Sequence, residues 1–305
     1  MTNDLEQETR RVFDAIHRQT LGLDVTKKRL RSLISPAFLG VDEDFLVGKR
    51  CGDFGCGSSV NGTVNLLELG AEYVCAMDVN ESFIEPATAE LKTNPTYDGR
   101  WRLDVGSLSQ APYEDAFFDF VICLGVIHHV DDDRRAVQEI YRTLKPGGHA
   151  HIFVAGEGGL ISKFLMQPAR VEYRDNPAFA QFIDSMNLLA KTNESLDWLL
   201  ANIDDDGSEA AKNCLSLLES LKRLVDHDFE LTVLDRLQAP IYKAYTEDKF
   251  TQMLEGAGFR NIRRLRRRPH FDNVRKILAP MYENYDHELS KLLLGTGSLL
   301  VLCEK

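Results

Sequence analysis

Apolar positions near the start of the chain recur at three- and four-residue steps, and Leu5, Val12, Phe13, Ile16 and Leu23 mark a helix. Thr26 to Leu33 reads as a second, basic helix that Pro36 ends. From Lys49 to Val154 the texture changes to short apolar runs separated by helical stretches. CGDF, YVCAMD, WRLDV, FDFVICLGV and AHIFVA read as strands, with VNLLELG, FIEPATAEL and DDRRAVQEIYRTL as helices. This alternation predicts a parallel sheet joined by crossover helices. Gly156, Gly158 and Gly159 then interrupt it, and residues 157–240 read as mostly helical. The alternation resumes with the helix EDKFTQMLEGAG, the strand FRNIRRLRRR, a helix around Asn273 to Leu294, and the strand GSLLVLCEK. The expected architecture is α/β. A helical arm (1–44) precedes one domain (45–156 and 241–305), which is interrupted by a helical insertion (157–240).

Composition narrows the classes. The 305 residues are 44% apolar and 27% charged, as in globular proteins. Lys and Arg number 36 against 47 Asp and Glu, for a net charge of −11. That balance argues against nucleic acid as a partner, which calls for a basic face. The longest apolar run, Phe120 to Ile127, holds eight residues, so no membrane-spanning helix is expected. The opening MTNDLEQETRR has no apolar core, and no secretory signal is expected. Six cysteines form no C-x-x-C pair, and Cys51, Cys75, Cys123 and Cys303 fall in strand-like runs. They read as reduced core thiols of a cytoplasmic protein.

The segment Cys51-Gly52-Asp53-Phe54-Gly55-Cys56-Gly57-Ser58-Ser59 closes the first strand and opens a helix. Glycine there permits a sharp turn and close approach of backbone to a ligand. Asp78 follows 21 positions after Gly57, at the end of the second strand. In doubly wound sheets a carboxylate at that place accepts from both ribose hydroxyls. Loop and acid together point to a nucleoside-bearing cofactor. A dinucleotide is disfavoured, because Val60 stands where G-x-G-x-x-G needs its third glycine. Asp53, directly before the loop, would repel a pyrophosphate and suits a ligand with a cationic amino-acid end.

These residues resemble the class I S-adenosylmethionine-dependent methyltransferases of the small-molecule type. The resemblance rests on D-F-G-C-G (Asp53 to Gly57), C-A-M-D-V-N (Cys75 to Asn80), L-D-V (Leu103 to Val105), Phe118 to Val130, L-K-P-G-G (Leu144 to Gly148) and E-G-A-G-F (Glu255 to Phe259). It implies a Rossmann-like, doubly wound, mostly parallel seven-stranded sheet and S-adenosyl-L-methionine as cofactor. It implies that Gly55 and Gly57 approach the methionine part, with Asp53 near its amino end. Asp78 would hold the ribose and Val79 would lie against the adenine. Asp104 would accept from the adenine amine, with Val105 beside it, and Leu124 and Gly125 would lie near the methionine amino group. Ser59 departs from the family, which often has glycine there.

Transfer from a sulfonium requires no metal, and alignment of the reacting atoms can be worth about 7–11 kcal/mol. A hydroxyl acceptor also needs a base, whereas a neutral amine needs none during the transfer. Candidates at the strand ends are His128, His129, Tyr242 and Tyr245. His151 lies within the fifth strand and reads as packed. Tyr141 and Lys145 match a Y-x-x-x-K pair of short-chain dehydrogenases, but Pro146 breaks the helix that pair needs. The insertion carries Phe164, Met166, Tyr173, Phe179, Phe182, Met186 and Trp198. Most are expected to fill its own core and a few to face the crevice, as a lid over a small, partly apolar acceptor with the three preceding glycines as hinges. Six arginines between Arg260 and Arg268 read as an exposed strand paired with surplus acids. The expected partner is a small-molecule acceptor methylated on oxygen or nitrogen. The alternatives are a tRNA or protein methyltransferase, or a non-catalytic S-adenosylmethionine-binding scaffold that forms a homodimer through the insertion.

Overall fold

The computed structural model describes residues 2–20, 24–266 and 274–305. The apolar runs form β1 (Arg50–Phe54), β2 (Tyr73–Asp78), β3 (Trp101–Val105), β4 (Phe118–Leu124), β5 (Leu144–Ala155), β6 (Arg260–Leu265) and β7 (Ser298–Glu304). They build one sheet in the order β3-β2-β1-β4-β5-β7-β6. β1 to β5 are parallel, and β7 runs antiparallel to both β5 and β6. The central strands are apolar on both faces because helices cover both. Along β4, Val121 and Cys123 join one core, with Phe54, Met77 and Ile140, while Phe120 and Ile122 join the other, with Leu66, Val74 and Leu91. Cys51, Cys75, Cys123 and Cys303 are buried in these strands as free thiols.

The chain leaves β1 toward β2 and β3, then returns to β4 on the other side of β1. Ligands of such sheets bind outside the carboxyl ends of the strands at that reversal. The ends of β1, β2, β3 and β4 therefore frame a crevice.

Several elements differ from the sequence reading. Pro36 does not merely stop a helix. It begins a short one, Pro36–Leu39, where Ser35 accepts from the Phe38 N–H and Gly40 closes it in the left-handed region. The single helix expected around Asn273 to Leu294 is three pieces, Val274–Leu278, Ala279–Glu283 and Glu288–Leu294. Pro280 restarts the second piece and the His287 side chain caps the third. Leu23, Arg267, Arg268 and Asn273 lie outside the described residues. Of the remaining arginines, Arg260 pairs with Glu304, Arg264 with Glu247 and Arg266 with Asp286, while Arg263 donates to the Leu39 carbonyl.

The insertion is helical, starting with a π-helical turn at Ser162–Met166 and ending with the helix His227–Gln238. The expectation that its large apolar side chains fill a core of their own is only partly met. Phe164 is 73% exposed, Trp198 64% and Phe182 56%. No helix among the described residues is long and apolar enough to cross a membrane.

Candidate functional site

β1 ends in the glycine loop, and the loop is clipped to the end of β2. Gly55 and Cys56 both donate their N–H to the Met77 carbonyl, at 2.8 and 3.1 Å. Gly55 (φ +82°) and Gly57 (φ +62°) take the left-handed backbone that glycine adopts without strain. A Cβ on Gly55 would stand 2.2 Å from a Val126 methyl, so this loop and the turn after β4 approach closely only because the residue is glycine. Val60 also adopts positive φ, 42°, just before the helix Asn61–Glu68. That conformation is costly for a β-branched residue and marks a strained exit from the loop.

Asp78 is the hub beside the loop. Its Oδ2 accepts the Gly57 N–H and its Oδ1 the Asn80 N–H, both at 3.0 Å. Burial pushes its carboxyl up, while these N–H groups and the nearby Arg10 guanidinium pull it down. Asp53 lies beneath the loop, buried, and its Oδ2 accepts from the Thr63 hydroxyl at 2.7 Å. Burial pushes it up to about 6, with Thr63 opposing and Asp78 adding to the rise. Val79 is half-buried next to Asp78, and Val105, at the end of β3, is 46% exposed. Asp104 is partly committed, since its Oδ2 takes both Arg102 Nε at 2.8 Å and the Tyr113 hydroxyl at 3.0 Å. Leu124 ends β4, and Gly125 follows at φ +85°. A Cβ on Gly125 would reach no closer than 3.9 Å to Phe153.

The four candidate acceptor-side residues do not share one environment. His128, His129 and Tyr242 meet. The two imidazoles lie 4.1 Å apart by ring centroid, and the Tyr242 ring stands edge-on to them at 5.6 and 5.7 Å. A strap explains this. The Lys243 N–H donates to the His128 carbonyl at 2.8 Å, and His129 Nδ1 donates to the Ile241 carbonyl at 2.8 Å. His129 Nε2 lies 3.6 Å from Asp235 Oδ1, beyond hydrogen-bond reach. His128 differs. It is buried, its Nδ1 has no hydrogen-bond partner among the described residues, and burial drives it well below the usual histidine range, with His129 and Arg236 adding to the effect. It is therefore a neutral imidazole. Burial raises the Tyr242 hydroxyl. The expectation that Tyr245 reaches the acceptor is corrected. Its hydroxyl donates to Asp133 Oδ2 at 2.7 Å and its ring packs on Phe250 in the core. His151 is fully buried in β5, as read from sequence.

The arrangement accepts a ligand with a nucleoside at one end and a polar amino-acid group at the other. Among the buried polar atoms without a partner in the described residues are Ser58 Oγ in the loop and His128 Nδ1 past β4. Sequence reasoning quoted Ser58 without a role, gave the expected N-terminal helix no part in the site, and missed Asp235 and Arg170. Arg170 donates to the Arg236, Ala239 and Pro240 carbonyls and lies 5.7 Å from the Tyr242 ring, so it holds the strap to the insertion. Arg170 lies 66 residues from Arg236, and no local pattern announces such a pairing.

Residues 52–152 match the model of the methyltransferase domain family. Phosphoethanolamine N-methyltransferase 2 of Caenorhabditis elegans is 27% identical over 135 residues, 42% of this chain and 30% of that protein. The ubiquinone biosynthesis O-methyltransferase of Schizosaccharomyces pombe is 33% identical over 103 residues, 33% of this chain and 36% of that protein. Its counterpart from Marinobacter nauticus is 29% identical over 129 residues, 42% of this chain and 52% of that protein. The chain thus spans about half the length of these curated relatives, or less. The crystal structure of the 1,6-didemethyltoxoflavin-N1-methyltransferase of Burkholderia thailandensis aligns with a TM-score of 0.53 at 17% identity. That alignment covers 100% of this chain and 90% of the other, a likeness of fold.

Proposed function

The chain belongs to the class I S-adenosylmethionine-dependent methyltransferase family, and on that premise we propose that it transfers a methyl group to an oxygen or nitrogen of a small metabolite. One observation carries the donor half of this reading. The Asp78 carboxylate is fixed by the Gly57 and Asn80 N–H groups at the mouth of a loop of left-handed glycines. In that setting Asp78 takes the ribose hydroxyls and Val79 and Val105 flank the adenine. Asp104 offers the adenine amine an acceptor, and Gly55, Gly57, Leu124 and Gly125 leave room for the methionine part. When bound, the donor supplies a methyl on a positively charged sulfur, delivered by in-line displacement.

The acceptor half rests on His128, Tyr242 and Phe153, which line up beyond Gly125. A neutral imidazole complements an uncharged O–H or N–H group and holds it for attack. His129 serves as a tie, because its Nδ1 is held by the Ile241 carbonyl. The relatives include both N- and O-methyltransferases, which supports a nitrogen or oxygen of a small acceptor.

Calorimetry with S-adenosylhomocysteine tests the donor site. Asp78→Ala should weaken binding by about 1–3 kcal/mol, the scale of lost hydrogen bonds to a charged group. Incubation with the donor and a metabolite extract should then yield a methylated product by mass. Donor binding without any methylated product would favour the scaffold reading, and an unchanged dissociation constant would remove Asp78 from the site.

A further inference from the structure

The N-terminal helix Thr2–Thr20 belongs to the arm, which sequence reasoning left without a role, yet one face of it lies against the crevice. Asn80, two residues past Asp78, donates its Nδ2 to the Arg10 carbonyl at 3.0 Å. Ser82 Oγ donates to Asp14 Oδ1 at 2.5 Å. The Phe13 ring stands edge-on to His129, 4.8 Å between centroids. Arg10, Phe13 and Asp14 fall at i, i+3 and i+4, so a single turn presents all three. Val12 and Ile16 are buried, and the helix also packs against the insertion helix His227–Gln238.

The places touched matter more than their number. Asn80 and Ser82 follow β2, while His129 follows β4, and β1 lies between those strands. Second-neighbour strands are about 10 Å apart. One turn from Arg10 to Asp14 rises about 6 Å, and with its side chains it spans that gap. It therefore crosses the end of β1, which is the glycine loop.

We propose that the N-terminal helix is the outer wall of the donor site, parting from Asn80, Ser82 and His129 to admit a nucleoside-bearing sulfonium and closing behind it. The inference rests on the donor reading above. It joins the two halves of the site, because the same turn that covers the Asp78 loop places Phe13 on the acceptor-side His129.

The test uses the full chain and S-adenosylhomocysteine as probe. Association and dissociation rates are measured by stopped flow for wild type, Phe13→Ala and Asp14→Ala, and backbone hydrogen exchange is followed across residues 2–20. A wall of this kind predicts that both rates rise about tenfold in the variants, the effect of one lost hydrogen bond to a charged group or one ring contact. The dissociation constant should change less, and the probe should slow exchange across residues 2–20 of the wild-type protein. If the probe binds wild type but exchange in the helix and the variant rates stay unchanged, the helix is no wall and the proposal falls alone. Should wild type fail to bind the probe at all, the donor reading falls with it. The exchange measurement on wild type decides the matter even where a variant does not fold.

Discussion

Asp53 is buried beneath the glycine loop with the Thr63 hydroxyl as its donor, and burial raises it from 3.8 to about 6. Two consequences follow with opposite signs. In the donor-free protein the raised carboxyl favours the folded state below pH 3.8, and that contribution is lost as pH rises through about 6. Ionised Asp53 therefore costs stability at neutral pH. A cationic donor reverses the balance, because it attracts the ionised form. The affinities for S-adenosylmethionine and S-adenosylhomocysteine, which share the cationic amino end, should therefore both fall as pH drops through about 6. Asp53→Asn keeps an oxygen for Thr63 and removes the charge. It should raise the melting temperature at pH 7, weaken both ligands, and flatten their pH dependence across pH 5 to 8. Calorimetry with both ligands reads this directly. Affinities that track pH equally in the variant would assign the effect to another group, with Asp78 the nearest.

At the scale of elements, the exit from β5 into the insertion is a clamp. Gly156, Gly158 and Gly159 were expected to act as hinges, but two of them pack backbone on backbone against the segment before β7. A Cβ on Gly156 would stand 2.0 Å from the Gly297 carbonyl oxygen, and one on Gly159 2.4 Å from the Leu292 carbonyl oxygen. The Thr296 N–H donates to the Glu157 carbonyl at 2.7 Å, and Glu157 in turn donates to the Tyr245 carbonyl at 2.8 Å. Gly159→Ala should thus cost about 2–4 kcal/mol through backbone overlap. Gly207→Ala, at φ +75° with nothing within 4 Å, should cost only about 1–2 kcal/mol from its backbone conformation. Chemical denaturation of both variants checks the order, and equal losses would show that the seam yields. Local signals made the strands and crossover helices legible, because apolar runs such as Phe118 to Leu124 and the break at Pro146 act within a few residues. The glycine loop and the acids at the ends of β2 and β3 were legible for the same reason, since they are strand-end features. The clamp, the Arg170 tie and the wall at Phe13 were not. Each joins residues tens to more than a hundred positions apart, and glycines in a row look alike whether they flex or pack.

For the whole molecule, charge placement bears on what kind of acceptor can approach. The net charge is −11, and the insertion alone holds eight Lys and Arg against fifteen Asp and Glu. Among the described residues of the densest basic run, Arg260, Arg264 and Arg266 each sit in an ion pair and Arg263 donates to a backbone carbonyl. A polyanion nearing the crevice would meet the acidic insertion first. Such a field is expected to repel nucleic acid more than small neutral or cationic acceptors. The exposed Phe164, Phe182 and Trp198 add apolar rather than basic surface to the same insertion. Filter binding of labelled tRNA should therefore show no salt-sensitive retention. A protein that neutralised six to ten phosphates would lose about 10³–10⁵ in affinity between about 50 and 200 mM salt. Tight retention at the lower salt that collapses at the higher would mean that the paired arginines exchange their acids for phosphates, and the acceptor would then be a macromolecule.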